Sequence, residues 1–130
     1  MRFEKEIVMN DLTVMIVDDS KLMRMMLTRI VESSGYKVVA AVEDGLELLE
    51  KYSEVKPDLV LLDVIMPKMD GLEALEILLS REPDASVIIV TSAGKEVNIL
   101  KAHELGAKNF IIKPFDRNKV IEIINQVMSN

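Results

Sequence analysis

A parallel β-sheet wound with helices on both faces is the fold that this sequence predicts, and three observations predict it. Short apolar runs alternate five times with stretches whose apolar residues recur every three or four positions. The runs are continuous rather than alternating, as expected of strands covered on both faces. Nothing interrupts the alternation: no linker, internal repeat or low-complexity segment breaks the 130 residues, so the chain reads as one domain joined by right-handed crossovers.

Residues 1–11 are polar and mixed, a loose lead-in to a domain over 12–128. Leu12 to Val17 is the first strand, and it ends in Asp18-Asp19. Ser20 can cap the first helix, whose stripe of Leu22, Met23, Met26, Leu27, Ile30 and Val31 stops before Gly35. Lys37 to Val42 is the second strand; Asp44-Gly45 turns into a helix with Leu46, Leu48, Leu49 and Tyr52 inward. The third run, Leu59 to Leu62, is bounded by Pro57 and Pro67 and delivers Asp63. Asp70 caps the third helix, with Leu72, Leu75, Ile77, Leu78 and Leu79. Ser86 to Val90 leads into Thr91-Ser92, and the fourth helix runs from about Lys95 to Leu105, closed by Gly106. Asn109 to Ile112 is the fifth strand, ending in Lys113-Pro114. Asp116 caps a last helix with Val120, Ile123, Ile124 and Val127 inward.

Composition narrows the function. The chain is 49% hydrophobic and 29% charged, as a globular protein is, and has no cysteine for a disulfide or thiolate metal site. The N-terminus lacks a signal-peptide core and no run approaches ~18 apolar residues, which points to the cytoplasm and away from membrane insertion. A net charge of −6 without a basic patch argues against direct nucleic-acid binding.

In a parallel sheet all strands end on one edge, where ligands bind. That edge collects Asp18, Asp19, Asp63, Thr91 and Lys113. Each has an ordinary reading alone: the acid pair favours a helix N-terminus, Thr suits a strand, and Lys is usually solvated. Together they form a chemical set. Clustered carboxylates repel unless a cation lies between them, and oxygen ligands without His or Cys favour Mg²⁺. A lysine and a hydroxyl facing that cation suit a phosphoryl group, and an Asp carboxylate can accept one.

These residues carry a resemblance. Val17-Asp18-Asp19-Ser20, Asp63 with Met66-Pro67 and Asp70-Gly71, Val90-Thr91-Ser92-Ala93, Gly106-Ala107 and Lys113-Pro114-Phe115 resemble a response-regulator receiver domain of two-component signalling, similar to the single-domain chemotaxis type. The resemblance covers about residues 12–128 and implies a flavodoxin-like (βα)5 fold, a doubly wound five-stranded parallel sheet of order 2-1-3-4-5. It implies Asp63 as phosphoacceptor and Mg²⁺ bound by Asp19, Asp63 and the Ile65 carbonyl, with Asp18 acting through water. Thr91 and Lys113 would meet the phosphoryl oxygens, Lys113-Pro114 would be cis, and Phe110 would be the aromatic switch residue paired with Thr91.

A histidine kinase is the implied phosphodonor, and the implied output is a phosphorylation-induced change on the face made by the fourth helix, fifth strand and fifth helix. There Ile99, Lys101, Lys108, Lys119 and Ile121 would meet a protein target. The chain is expected to be a monomer when unphosphorylated and a signalling protein rather than an enzyme. The resemblance also puts Ile65 and Ala93 at the positions that in that family flank the attacking water; neither accepts a hydrogen bond, so self-dephosphorylation is expected to be slow. A phosphorelay intermediate or a receiver cut from a longer regulator fits the same motifs. An aspartate-nucleophile phosphatase fits less well, because its first strand ends in Asp-x-Asp rather than adjacent acids. A flavin carrier is disfavoured because Asp18-Asp19 would repel the flavin phosphate. His103 reads as a partly exposed helix residue; the methionines read as core and first-helix filler, with a kinase-docking role open for Met25.

Overall fold

The structure, a computed structural model, describes residues 11–66 and 69–129. The lead-in over 1–10 and the Pro67-Lys68 part of the central turn lie outside the described residues. Strands β1 (Thr13–Val17), β2 (Lys37–Val42), β3 (Leu59–Asp63), β4 (Val87–Ser92) and β5 (Asn109–Lys113) alternate with helices α1 (Lys21–Ser33), α2 (Gly45–Val55), α3 (Gly71–Arg81), α4 (Glu96–Leu105) and α5 (Arg117–Met128). All pairings are parallel, and the sheet order is β2-β1-β3-β4-β5.

Two cores sandwich the sheet. Met15, Leu62 and Ile89 face α2, α3 and α4 through Leu48, Leu75 and Ala102. Ile16, Leu61 and Ile88 face α1 and α5 through Leu27, Val31, Val120 and Ile124. Strand β3 is central, and Leu59, Val60, Leu61 and Leu62 are all 0% exposed. At roughly 1.5–3 kcal/mol for each fully buried side chain of this size, β3 is firmly held. Asp63 at its end therefore stands on a rigid base.

Among the described residues, side-chain caps start four of the five helices. Ser20, Asp44, Asp70 and Asp116 accept from the backbone N–H of Met23, Glu47, Glu73 and Lys119. Helix α4 starts without one. Strands β4 and β5 run further than the apolar runs indicated, taking in Thr91, Ser92 and Lys113, because ladder pairing continues past the last apolar residue.

Three positions expected to face inward do not. Leu22 is 67% exposed, Met26 41% and Leu46 50%. Spacing of three and four residues marks a stripe about two residues wide on a helix, and a helix lying on a sheet buries only its centre. Leu27 and Val31 take that centre on α1; Leu48 and Tyr52 take it on α2. Met25 is also exposed, so α1 presents an apolar shoulder rather than filler.

Candidate functional site

Gly71 explains why Asp63 sits where it does. Its N–H donates to the Val64 carbonyl at 2.8 Å, bringing the start of α3 against the end of β3. A Cβ on Gly71 would lie 2.2 Å from the Asp63 carbonyl oxygen and 2.4 Å from the Val64 Cα, both backbone atoms. Only glycine permits that approach.

Asp18, Asp19 and Asp63 meet at the sheet edge, each offering an oxygen within 4.8 Å of the others'. Asp18 and Asp63 are buried, whereas Asp19 is exposed. Lys113 Nζ lies 3.2 Å from Asp18 Oδ2 and 3.9 Å from Asp63 Oδ2, so one lysine serves two buried acids. Ser20 N–H donates to Asp18 Oδ1 at 2.9 Å, and Ile65 N–H to Asp63 Oδ1 at 3.1 Å. Burial pushes the Asp63 carboxyl up from 3.8 to about 6; the Ile65 N–H opposes this, Asp18 adds to it, Lys113 opposes it, and Asp19 adds a little. Three carboxylates against one lysine form a set of hard oxygen donors short of positive charge. This donor chemistry fits Mg²⁺.

Thr91, only 2% exposed, has a buried hydroxyl with no hydrogen-bond partner among the described residues. A buried, unpaired hydroxyl is costly and calls for an acceptor. The Lys113-Pro114 bond is cis. Strand register puts Phe110 opposite Ile89 and Ile112 opposite Thr91. Phe110 therefore shares a sheet face with Thr91, and it is turned outward, 39% exposed. It borders a groove of about 550 Å³ lined also by Ile99, Leu100, His103, Lys108 and Ile112. Ile65 and Ala93 are both exposed at the rim of the acid edge, and His103 is exposed on α4.

Arg24 was not singled out from the sequence. Its Nη1 donates to the Asp18 carbonyl at 2.8 Å. A signal existed: a cation so near a helix N-terminus works against the helix dipole, and its presence there asks for a partner.

Fold and site together define a receiver: a doubly wound sheet with an acid cluster, a lysine and a hydroxyl on its carboxyl edge. The family model for the response regulator receiver domain matches residues 14–125, and the chain belongs to that family. It is 46% identical over 115 residues to the chemotaxis protein CheY of Listeria monocytogenes, covering 88% of this chain and 97% of that protein. It is 41% identical to CheY of Thermotoga maritima over 88% of this chain and 95% of that one. A chain of the crystal structure of the CheX-CheY-BeF3-Mg²⁺ complex from Borrelia burgdorferi superposes with a TM-score of 0.87 at 38% identity, covering 90% of this chain and 89% of that chain. Among the described residues, no helix is long and apolar enough to cross a membrane.

Proposed function

We propose that this receiver takes a phosphoryl group onto Asp63 from a phosphohistidine of a histidine kinase and passes the signal to a protein target, in a chemotaxis-type pathway like that of its CheY relatives. One observation carries the reading. Buried Asp63 shares Lys113 with Asp18, on the same edge as a buried Thr91 hydroxyl that lacks an acceptor among the described residues. Asp63 Oδ attacks phosphorus in line, the P–N bond breaks, and the imidazole leaves with the electron pair. Lys113 offsets the charge on the transferring oxygens, and the Thr91 hydroxyl donates to one of them. Asp19, Asp63 and the Ile65 carbonyl would hold Mg²⁺, with Asp18 through water; when bound, the ion neutralises phosphoryl charge. The kinase and target recognise the protein through its surface, with no direct nucleic-acid contact and no membrane insertion.

Phosphorylation places about two negative charges at the edge. Thr91 moves toward them, and Phe110, on the same face, rotates into the space released. Phe110 carries no hydroxyl that must stay wet, so its inward state is cheap. The signal then leaves through the α4-β5-α5 face, where Ile99 and Ile121 are half-buried and Lys101, Lys108 and Lys119 exposed. Beryllofluoride with Mg²⁺, which mimics the phosphoryl group, should shift backbone amides from Asp63 through Thr91 to residues 95–121. Shifts confined to the acid edge would refute the route.

The same geometry bears on lifetime. Exposed Ile65 is branched and apolar, and Ala93 is too short to orient water. Self-dephosphorylation is therefore expected to be slow. Replacing both, Ile65→Asn with Ala93→Glu, should speed hydrolysis of the phosphorylated protein on the order of tenfold or more, as an oriented water does. An unchanged decay of the phosphorylated mass would remove Ile65 and Ala93 from the account.

A further inference from the structure

We propose that Arg24 is a positioning residue for the acid site: its guanidinium sets the peptide plane between Asp18 and Asp19 and thereby aims Asp19. The inference rests on the phosphoacceptor reading above. Asp18 is held at four points. Its N–H donates to the Val42 carbonyl at 3.0 Å, and its carboxylate accepts from Ser20 N–H and from Lys113. The fourth is the bond from Arg24 Nη1 to its carbonyl. Among the described residues, only this fourth bond acts on the Asp18–Asp19 peptide. That peptide is planar, so fixing its carbonyl fixes the direction in which the Asp19 Cα departs.

Asp19 has no comparable support of its own. It is exposed, and among the described residues no group donates to its carboxylate. Its aim is therefore set by backbone alone. Arg24 can reach back to residue 18 because helical side chains lean toward the N-terminus, and the guanidinium is a planar, permanently charged fork.

Charge and geometry pull Mg²⁺ affinity in opposite directions. A cation beside a dication site repels the ion, so losing Arg24 for its charge alone would tighten Mg²⁺ binding. Losing it as a positioning residue would weaken binding. The sign decides between them.

The test is a MgCl2 titration followed by the amide shifts of Asp19, Ser20 and Asp63, at low and at high salt, with thermal melting in metal-free buffer alongside. Arg24→Gln should raise the Mg²⁺ dissociation constant about tenfold, as is usual on losing a residue that orients a metal ligand. Lys21→Gln, which removes the same charge from the same turn, should leave it unchanged or lower. Phosphorylation by acetyl phosphate should follow, with half-saturation in Mg²⁺ moved more than the maximal rate. Binding by Arg24→Gln as tight as wild type, or tighter, overturns the proposal. An equal weakening in Lys21→Gln overturns it too. If Arg24→Gln melts below the working temperature, Arg24→Lys decides: a smaller weakening is expected, and none overturns it. A wild-type protein that shows no Mg²⁺ titration at all overturns instead the phosphoacceptor reading beneath it.

Discussion

Acetyl phosphate with Mg²⁺ should add one phosphoryl group to the wild-type protein and none to Asp63→Asn, read by intact mass. The amide is nearly isosteric, so the fold persists while the nucleophile is lost. Asp18 and Asp19 carry carboxylates into the same cluster, which makes the experiment discriminating. Asp18 is turned toward Ser20 and Lys113, and Asp19 is exposed. Neither combines burial with a position at the end of the central strand. Lys113→Met keeps the nucleophile and removes the ammonium paired with it, so incorporation should slow on the order of a hundredfold, the usual loss for one charge-stabilising donor. A phosphorylated Asp63→Asn would falsify the assignment outright.

The second large effect is on stability. Burial raises the Asp63 carboxyl from 3.8 to about 6 in the folded protein, so the folded state holds its proton more tightly than the unfolded state does. Whatever stability this brings is fully present below about pH 4 and is lost as pH rises through 6. Above that, the ionised Asp63 costs the fold on the order of 3 kcal/mol relative to a neutral side chain. In metal-free buffer at pH 7.5, Asp63→Asn should therefore be the more stable protein by a few kcal/mol, and the difference should shrink toward pH 4. Adding MgCl2 should stabilise wild type, by an amount that grows with the logarithm of concentration, and Asp63→Asn much less. Urea unfolding at several pH values with and without MgCl2 measures both. Equal stability of the two proteins at pH 7.5 would show that Asp63 is less confined than its burial indicates.

Much of this architecture was legible in the chain. The runs at Val14–Val17 and Leu59–Leu62 are unbroken by polar residues, as strands covered on both faces of a parallel sheet are, and both are buried throughout. The acids and the lysine were legible because each directly follows such a run, and parallel strands force those ends together. The strand order was not readable from pattern, because alternation fixes neither the neighbours of β1 nor where the winding reverses; it came from the resemblance. The outward turn of Leu22, Met26 and Leu46 was also hidden. Helical spacing tells which residues share a stripe, but not how much of it the sheet covers. Arg24 was missed for a related reason. Its role depends on a side chain reaching six residues back to a carbonyl, and carbonyls leave no mark in a sequence.

The directions of the elements have a consequence for building with this domain. Strands run toward the acid edge and helices run back from it, so β1 begins and α5 ends on the opposite edge. The hydrogen bond from the Tyr36 hydroxyl to Asn125 joins the start of the β2 segment to the last turns of α5 there, and Thr13 is tied to Asp58 beside them. A tether, fluorophore or fused module joined directly before Thr13 or after Met128 would leave from the floor of the molecule, with the sheet between it and Asp63. Such attachments should leave the acid edge open to a kinase, whereas one inserted between Ser92 and Glu96, where exposed residues link β4 to α4, would hang across its mouth.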